Sequence, residues 1–210
     1  MATPNPHYTE SLRKLMQAFA DLPGVGMRSA ERMTFALLKE PARATALVEA
    51  IQAVKEQVKY CSICFNLTEH DPCPVCADPA RDHAIICVVE QHKDLLQLES
   101  TGIYRGVYHV LLGRIAALDD IRPTDLTIAQ LLARVAGSPE PPAVREIILA
   151  TNPTMEGDGT SLYLQREIAQ VAPHIQITRL ARGLPAGAQI EYSNKAILSD
   201  ALSGRTRVAE

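Results

Sequence analysis

The chain has 210 residues, of which 47% are hydrophobic and 21% charged, a balance typical of globular proteins that excludes wholesale disorder and fibrous folds. Aromatic residues make up only 4%, which argues against a protein that holds single strands mainly by stacking bases on aromatic rings. The net charge of −3 excludes a uniformly basic protein that coats DNA, although residues 1–60 and 176–210 carry a basic excess and residues 61–175 an acidic one.

The first residues lack the apolar core of a signal peptide, and no segment approaches the roughly 18 apolar residues of a membrane span. We therefore expect a cytoplasmic protein with no membrane contact. In that reducing compartment, clustered cysteines favour a metal site over disulfides.

Three helices are predicted in the first 60 residues, after a loose arm at residues 1–7 that is rich in Pro and Asn. Apolar residues recur at helical spacing after Thr9, an expected N-cap, and again in residues 27–40 and 42–59. The sequence LPGVG at residues 22–26 is predicted to end the first helix, and Pro41 the second, because Pro and Gly interrupt helices.

The LPGVG turn between two amphipathic helices is typical of a helix-hairpin-helix motif. Gly24 and Gly26 permit a tight turn and leave room for a phosphate, which the N-terminal end of the second helix attracts. Arg28 and Arg32 are four residues apart and therefore share one helix face. We predict that these four residues bind DNA phosphates without sequence specificity. The alternative is an ordinary helical hairpin in which the glycines only make the turn.

Two CxxC pairs follow, with eight residues between them. Each pair forms a knuckle that directs two sulfurs at one point, and four thiolates complete the tetrahedral site that Zn²⁺ prefers. We predict one structural zinc ion, because four sulfurs leave no open position for a catalytic water. Buried free cysteines or a redox pair are the alternatives. The predicted zinc ligands are Cys61, Cys64, Cys73 and Cys76.

The second half of the chain alternates apolar runs of strand length with helical patterns, which predicts an α/β domain with a mostly parallel sheet. The predicted strands are residues 84–89, 107–112, 147–150 and 175–178, and the predicted helices are residues 92–100, 124–137 and 159–172. Cys87 falls in the middle of the first strand and is expected in the core. We also predict a surface loop at residues 138–142, a strand at residues 189–192 and a helix at residues 194–202.

Acidic residues stand where the carboxyl ends of these strands meet. Glu90 follows the first strand and Asp94 opens the next helix, an arrangement that resembles the start of a Toprim site. Catalytic Toprim sites add an Asp-x-Asp after a later strand, whereas this chain has Thr151-Asn152 there. Glu156 and Asp158 come later, in a predicted glycine-flanked loop, so the acidic set is incomplete or rearranged, and we expect no catalysis. Asp158 has the alternative role of a solvated acid that caps the next helix.

Together these parts resemble the RecR family of bacterial recombination mediators over nearly the whole chain. The resemblance lies in the segments LPGVGMRSAERM, CSICFNLTEHDPCPVC, RDHAIICVVE, EIILATNPTMEGDGTSLYL and TRLARGLPAG. It implies an α+β chain of four parts: a helical helix-hairpin-helix region (1–60), a four-cysteine zinc finger (61–76), a Toprim domain (84–179) and a C-terminal oligomerisation tail (180–210).

The resemblance also implies a function without catalysis. Such a protein binds DNA as a ring-like homo-oligomer, a dimer or tetramer, near the nucleoid, and acts with RecO and RecF to promote RecA loading. The family's DNA-contacting basic pair falls on Arg28 and Arg32, and its partner-binding Toprim acids on Glu90, Asp94 and Glu156. Arg28 replaces a common lysine with charge retained, and Asp158 is shorter than the usual glutamate.

Two other functions stay open from the sequence. One is a Mg²⁺-dependent Toprim nuclease or nicking enzyme that uses Glu90, Asp94 and Glu156. The other is a zinc-dependent interaction module with no role on DNA. Nicking of supercoiled plasmid would identify the first, and absent or salt-insensitive DNA binding would identify the second.

Overall fold

A computed structural model describes residues 8–136 and 144–206 of the chain. The predicted arm at residues 1–7 and the predicted loop at residues 138–142 lie outside the described residues. The chain divides into two compact units, the first ending at Val58 and the second beginning at Lys59.

The first unit consists of the three predicted helices, α1 (Glu10–Ala20), α2 (Met27–Lys39) and α3 (Pro41–Gln57). Helices α1 and α2 pack together and bury Met16 and Ala30. Pro41 is the first residue of α3, a position where its missing N–H costs nothing. Helix α3 buries no residue and leaves a row of apolar side chains exposed: Val48, Ile51 and Val54.

The second unit begins with a small finger. Strands β1 (Lys59–Tyr60) and β2 (Leu67–Thr68) pair in antiparallel fashion, and the one-turn helix α4 (Pro74–Ala77) follows. The third helix was predicted to reach residue 59 but ends at Gln57, because Lys59 and Tyr60 pair with Thr68 and Leu67 instead.

The predicted parallel sheet is confirmed. It contains β3 (Asp82–Val89), β4 (Gly106–Val110), β5 (Glu146–Ala150) and β6 (Gln176–Arg179), all parallel and in the order β4-β3-β5-β6. Three helices connect these strands: α5 (His92–Ser100), α6 (Ile128–Ala136) and α7 (Met155–Val171).

Both faces of the central strands are buried, as continuous apolar runs predict. On one face, Ile86 and Val88 contribute to a core that includes Leu131 of α6 and Leu164 of α7. On the other face, a second core contains Leu95 of α5 and Cys87, which is buried as expected. The sheet therefore fixes the positions of the loops at its carboxyl edge.

The strand predicted at residues 189–192 is wrong, since Ile190–Tyr192 forms a 3-10 helix. A strand needs a neighbour for its N–H and C=O groups, and among residues 8–136 and 144–206 no strand pairs with this segment. A local hydrogen bond from Tyr192 N to Gln189 O (3.2 Å) forms instead. The helix predicted after it is confirmed as α8 (Lys195–Ser203), capped by the side chain of Asn194.

Two helices differ at their starts from the prediction. Helix α6 begins at Ile128 and is preceded by a 3-10 turn, Pro123–Asp125, while residue 137 lies outside the described part. Helix α7 begins at Met155 rather than near residue 159, because the Thr154 hydroxyl accepts a hydrogen bond from Gly157 N (3.1 Å) and caps it. Glu156 and Asp158 therefore lie in the first turn of a helix, not in a loop, and Asp158 is not the cap.

No helix within the described ranges combines the length and the apolar character needed to cross a membrane.

Candidate functional site

The four cysteines of the two CxxC pairs converge on one point. All four are buried, and their Sγ atoms lie within 4.8 Å of one another. Backbone hydrogen bonds shape the first knuckle, from Cys61 N to Asn66 O (2.8 Å) and from Phe65 N to Cys61 O (3.0 Å). The second knuckle is tied to the first by a hydrogen bond from Cys73 N to Cys61 Sγ (3.3 Å). Among the described residues, no other group of His, Cys, Asp and Glu side chains is placed to hold a metal.

The chemistry of these thiols fits zinc. A hydrogen bond with Cys76 lowers the pKa of Cys64, whereas burial raises the pKa of Cys73. Four thiolates could not share this buried space without a cation, and Zn²⁺ compensates their charge in a tetrahedral site. Cys61, Cys64, Cys73 and Cys76 are therefore suited to one zinc ion that braces the finger, with no position left for water.

The hairpin between α1 and α2 leaves an open helix end. Gly24 has φ +79°, which L side chains rarely adopt, and Gly26 is the N-cap of α2. A Cβ at either glycine would have no atom of the described residues within 4 Å, so nothing in that part of the chain blocks the approach to the turn. Ser29 N and Ala30 N bond to Gly26 O, at 2.9 and 3.0 Å. The N–H groups of Met27 and Arg28 have no acceptor within the described part of the chain.

Arg28 and Arg32 are exposed on the first turns of α2, and neither forms an ion pair within residues 8–136 and 144–206. In contrast, Arg43 on α3 pairs with Glu40 at 2.8 Å. The one acidic residue of α2, Glu31, accepts a hydrogen bond from the Tyr8 hydroxyl. Positive charge at this end of α2 is therefore available to an external anion.

The three Toprim acids occupy different environments. Glu90 is only 2% exposed and accepts hydrogen bonds from Asn152 N and Asn152 Nδ2, both 2.8 Å. Asp94 caps α5 by accepting a hydrogen bond from Gln91 N (2.9 Å). Glu156 is half-buried on α7 and borders an open groove. The structure does not bring these three carboxylates together within metal-binding distance.

Two features at the carboxyl edge of the sheet were not predicted from the sequence. One is Asn152, whose hydrogen bonds to Glu90 join the ends of β5 and β3. The other is Asp158, which binds both Arg179 and Arg182, the latter with an Nη1–Oδ2 distance of 3.0 Å. These two guanidinium groups, Arg182 foremost, hold the pKa of Asp158 below its ordinary value. The sequence signal for the second feature was the pair Arg179 and Arg182, which directly follow the fourth predicted strand. The carboxyl end of that strand lies at this edge of the sheet, so both arginines were bound to lie there as well.

Comparison with known proteins matches each part in order. Residues 12–55 match the RecR helix-hairpin-helix domain, residues 58–78 the RecR zinc finger domain with four cysteine ligands, and residues 84–181 a Toprim domain. The predicted order of the three parts is thereby confirmed, as is the prediction of one zinc ion on the four cysteines.

Relatives match over nearly their full length. Recombination protein RecR of Rhodopirellula baltica is 51% identical over 195 residues, which cover 92% of this chain and 95% of the relative. The RecR protein of Bifidobacterium adolescentis is 46% identical over 96% of this chain and 98% of its own length. The RecR protein of Chloroflexus aggregans is 49% identical over 91% of this chain and 91% of its own length. The chain therefore belongs to the RecR family of recombination proteins.

Proposed function

We propose that this protein binds DNA without sequence specificity through Gly24, Gly26, Arg28 and Arg32, as a recombination mediator that acts with RecO and RecF to promote RecA loading at the nucleoid. One observation carries the proposal: two exposed arginines without ion pairs, among the described residues, stand beside a helix end whose first N–H groups are free. Phosphate oxygens accept from both kinds of donor.

A single chain offers too few positive charges for tight binding, because each phosphate contact is weak and screened by salt. A ring-like homo-oligomer, a dimer or tetramer, repeats the hairpin and adds the contacts by avidity. Exposed apolar side chains supply surface for such assembly, at Ile51 and Val54 of α3 and at Ile190 and Tyr192 in the tail. The tail, residues 180–210, then serves in oligomerisation, as the proposed four-part division assigns.

The Toprim domain acts in this proposal as a scaffold and partner surface rather than as a nuclease. Glu90 is buried and satisfied by Asn152, so its carboxylate is not free to hold Mg²⁺. Asp94 is engaged in capping α5. Of the three acids, Glu156 borders an open groove and is therefore the one proposed to contact the partner directly, while Glu90 and Asp94 hold the strand end and the helix start at this edge of the sheet.

The test is DNA binding by the double variant R28A/R32A, measured by gel shift over a range of salt concentrations. We expect at least a tenfold loss of affinity and a shallower salt dependence, by about one in slope for each arginine. The matched control is R43A/R122A, which removes two other exposed arginines and the same net charge. Equal affinities for the two double variants would contradict the proposal, as would nicking of supercoiled plasmid in Mg²⁺ or Mn²⁺.

A further inference from the structure

An open apolar groove of 540 Å³ lies between the first turns of α7 and the loop that follows β4. Leu118 is 100% exposed and Met155 is 88% exposed, and both border the groove. Large apolar side chains left in water beside a concave surface mark interaction sites. The groove therefore offers two apolar anchors that nothing else among the described residues covers.

The two walls of the groove, α7 and the loop that follows β4, are joined by a hydrogen bond. The buried Thr160 hydroxyl accepts a hydrogen bond from Ile115 N (2.9 Å) and donates one to Glu156 O (2.7 Å). The loop is closed at its base by a bridge between Ala116 and Ile121. Because both walls are already ordered, little conformational entropy remains to be lost when the groove is filled.

The charge at the groove has one sign. Glu156 and Asp119 are among its lining residues, and among residues 8–136 and 144–206 no lysine, arginine or histidine lines it. Neither carboxylate forms an ion pair within the described part of the chain. A binding segment must therefore combine apolar side chains with positive charge.

We propose that this groove binds a basic amphipathic segment of a partner protein, with two apolar side chains against Leu118 and Met155 and a lysine or arginine paired with Glu156. The proposal rests on the partner role given to Glu156 under the proposed function. It goes further in assigning the contact to the whole groove, with Leu118 and Met155 as apolar anchors, and in naming the chemistry of the partner.

The probe is a phage-displayed library of random 16-residue peptides, selected on the whole protein with counter-selection on the variant L118A/M155A. Enriched peptides are synthesised, and their affinities are measured by fluorescence anisotropy. We expect lysine or arginine together with two apolar residues at helical spacing, and at least tenfold weaker binding to L118A/M155A and to E156K. Leu96→Ala removes another exposed leucine, 61% accessible on α5 and outside the groove lining, and is expected to leave affinity unchanged.

Failure to enrich any peptide, enrichment of peptides without basic residues, or equal affinity for L118A/M155A would overturn the groove proposal. A change in the solution mass of L118A/M155A by light scattering would also overturn it, because a second copy would then be the occupant. DNA binding by this variant is expected to match that of the unaltered protein. If the unaltered protein bound no DNA while the peptides still required Leu118 and Met155, the proposed function would fail and the groove proposal would stand.

Discussion

Asn152 donates two hydrogen bonds to the carboxylate of Glu90, from its backbone N–H and its side-chain amide, each 2.8 Å long. The two residues follow β5 and β3, which are neighbours in the sheet. A buried carboxylate requires such donors, because burial without them carries a large desolvation cost. An amide thus stands at the strand end where a metal site would need another acid.

Replacing Asn152 with Asp places a second carboxylate against Glu90. We expect Asn152→Asp to lower the free energy of unfolding by about 3 kcal/mol at pH 7, because the amide donor to Glu90 is replaced by a second negative charge. Urea unfolding at pH 7 measures the effect. The control Gln165→Glu adds the same charge at an exposed position of α7 and is expected to change stability by no more than about 0.5 kcal/mol. Equal losses in the two variants would contradict this account.

Two glycines of α7 provide a second comparison. A Cβ at Gly157 would lie 2.1 Å from Asn152 O and 2.8 Å from Glu90 Oε1, whereas a Cβ at Gly159 would have no atom within 4 Å in the part of the chain that the structure describes. We expect Gly157→Ala to destabilise the protein by about 2–4 kcal/mol through overpacking. Gly159→Ala is expected to stabilise it by up to about 1 kcal/mol, because alanine favours the helix. Thermal unfolding of both variants measures the two effects. If both substitutions stabilised the protein, or both destabilised it, this prediction would be wrong.

The helices, strands and cysteine knuckles could be predicted because each depends on a local pattern. Helical spacing before and after LPGVG gives the hairpin, and the apolar run before Glu90 gives the central strand. The CxxC spacing is sufficient for the metal site, since Cys61 and Cys64 lie on one knuckle and Cys73 and Cys76 on the other.

The features that the sequence did not predict depend on contacts between segments that are distant in the chain. Two glycines near Asp158 indicated a loop, but Thr154 caps a helix there, and Gly157 is needed because α7 packs closely on Glu90. The exposure of Leu118 depends on how its loop is held by Thr160, 42 residues later in the chain, which no local pattern reveals.

Replacing a zinc ligand and replacing a cysteine of the core are expected to have different effects on zinc content. Cys64→Ser removes a ligand and is expected to abolish the one zinc ion per chain and to unfold the finger, since binding and folding of such sites are coupled. Cys87→Ala removes a buried thiol from the core and is expected to retain zinc with a modest loss of stability. Released zinc is measured with a colorimetric chelator. Full zinc content in Cys64→Ser would refute the assignment.

The ion pair between Arg81 and Glu99 makes the free energy of unfolding depend on pH. The guanidinium of Arg81 contacts both carboxylate oxygens of Glu99, with an Nη1–Oε1 distance of 2.7 Å, and holds the pKa of Glu99 below its ordinary value. Arg81 also donates to Gly106 O (3.3 Å), so the pair links the start of β3, α5 and β4. Because the folded-state pKa is depressed, this stabilisation is present above the ordinary glutamate value of about 4.3 and is lost as the pH falls through the folded value.

Glu99→Gln is therefore expected to lower the free energy of unfolding by about 1–3 kcal/mol at pH 7, since it removes a hydrogen-bonded charge from a largely buried arginine. The loss relative to the unaltered protein shrinks as the pH falls below about 4.3, because Glu99 of the unfolded chain is protonated first, and disappears once the pH is below the depressed folded-state pKa of Glu99. Urea midpoints between pH 7 and pH 3.5 measure both effects. The control Glu10→Gln removes an exposed partner of Lys14 on α1 and is expected to have a small effect at every pH, because exposed pairs contribute little. A loss for Glu99→Gln that stays constant with pH would show that Glu99 contributes through packing rather than through its charge.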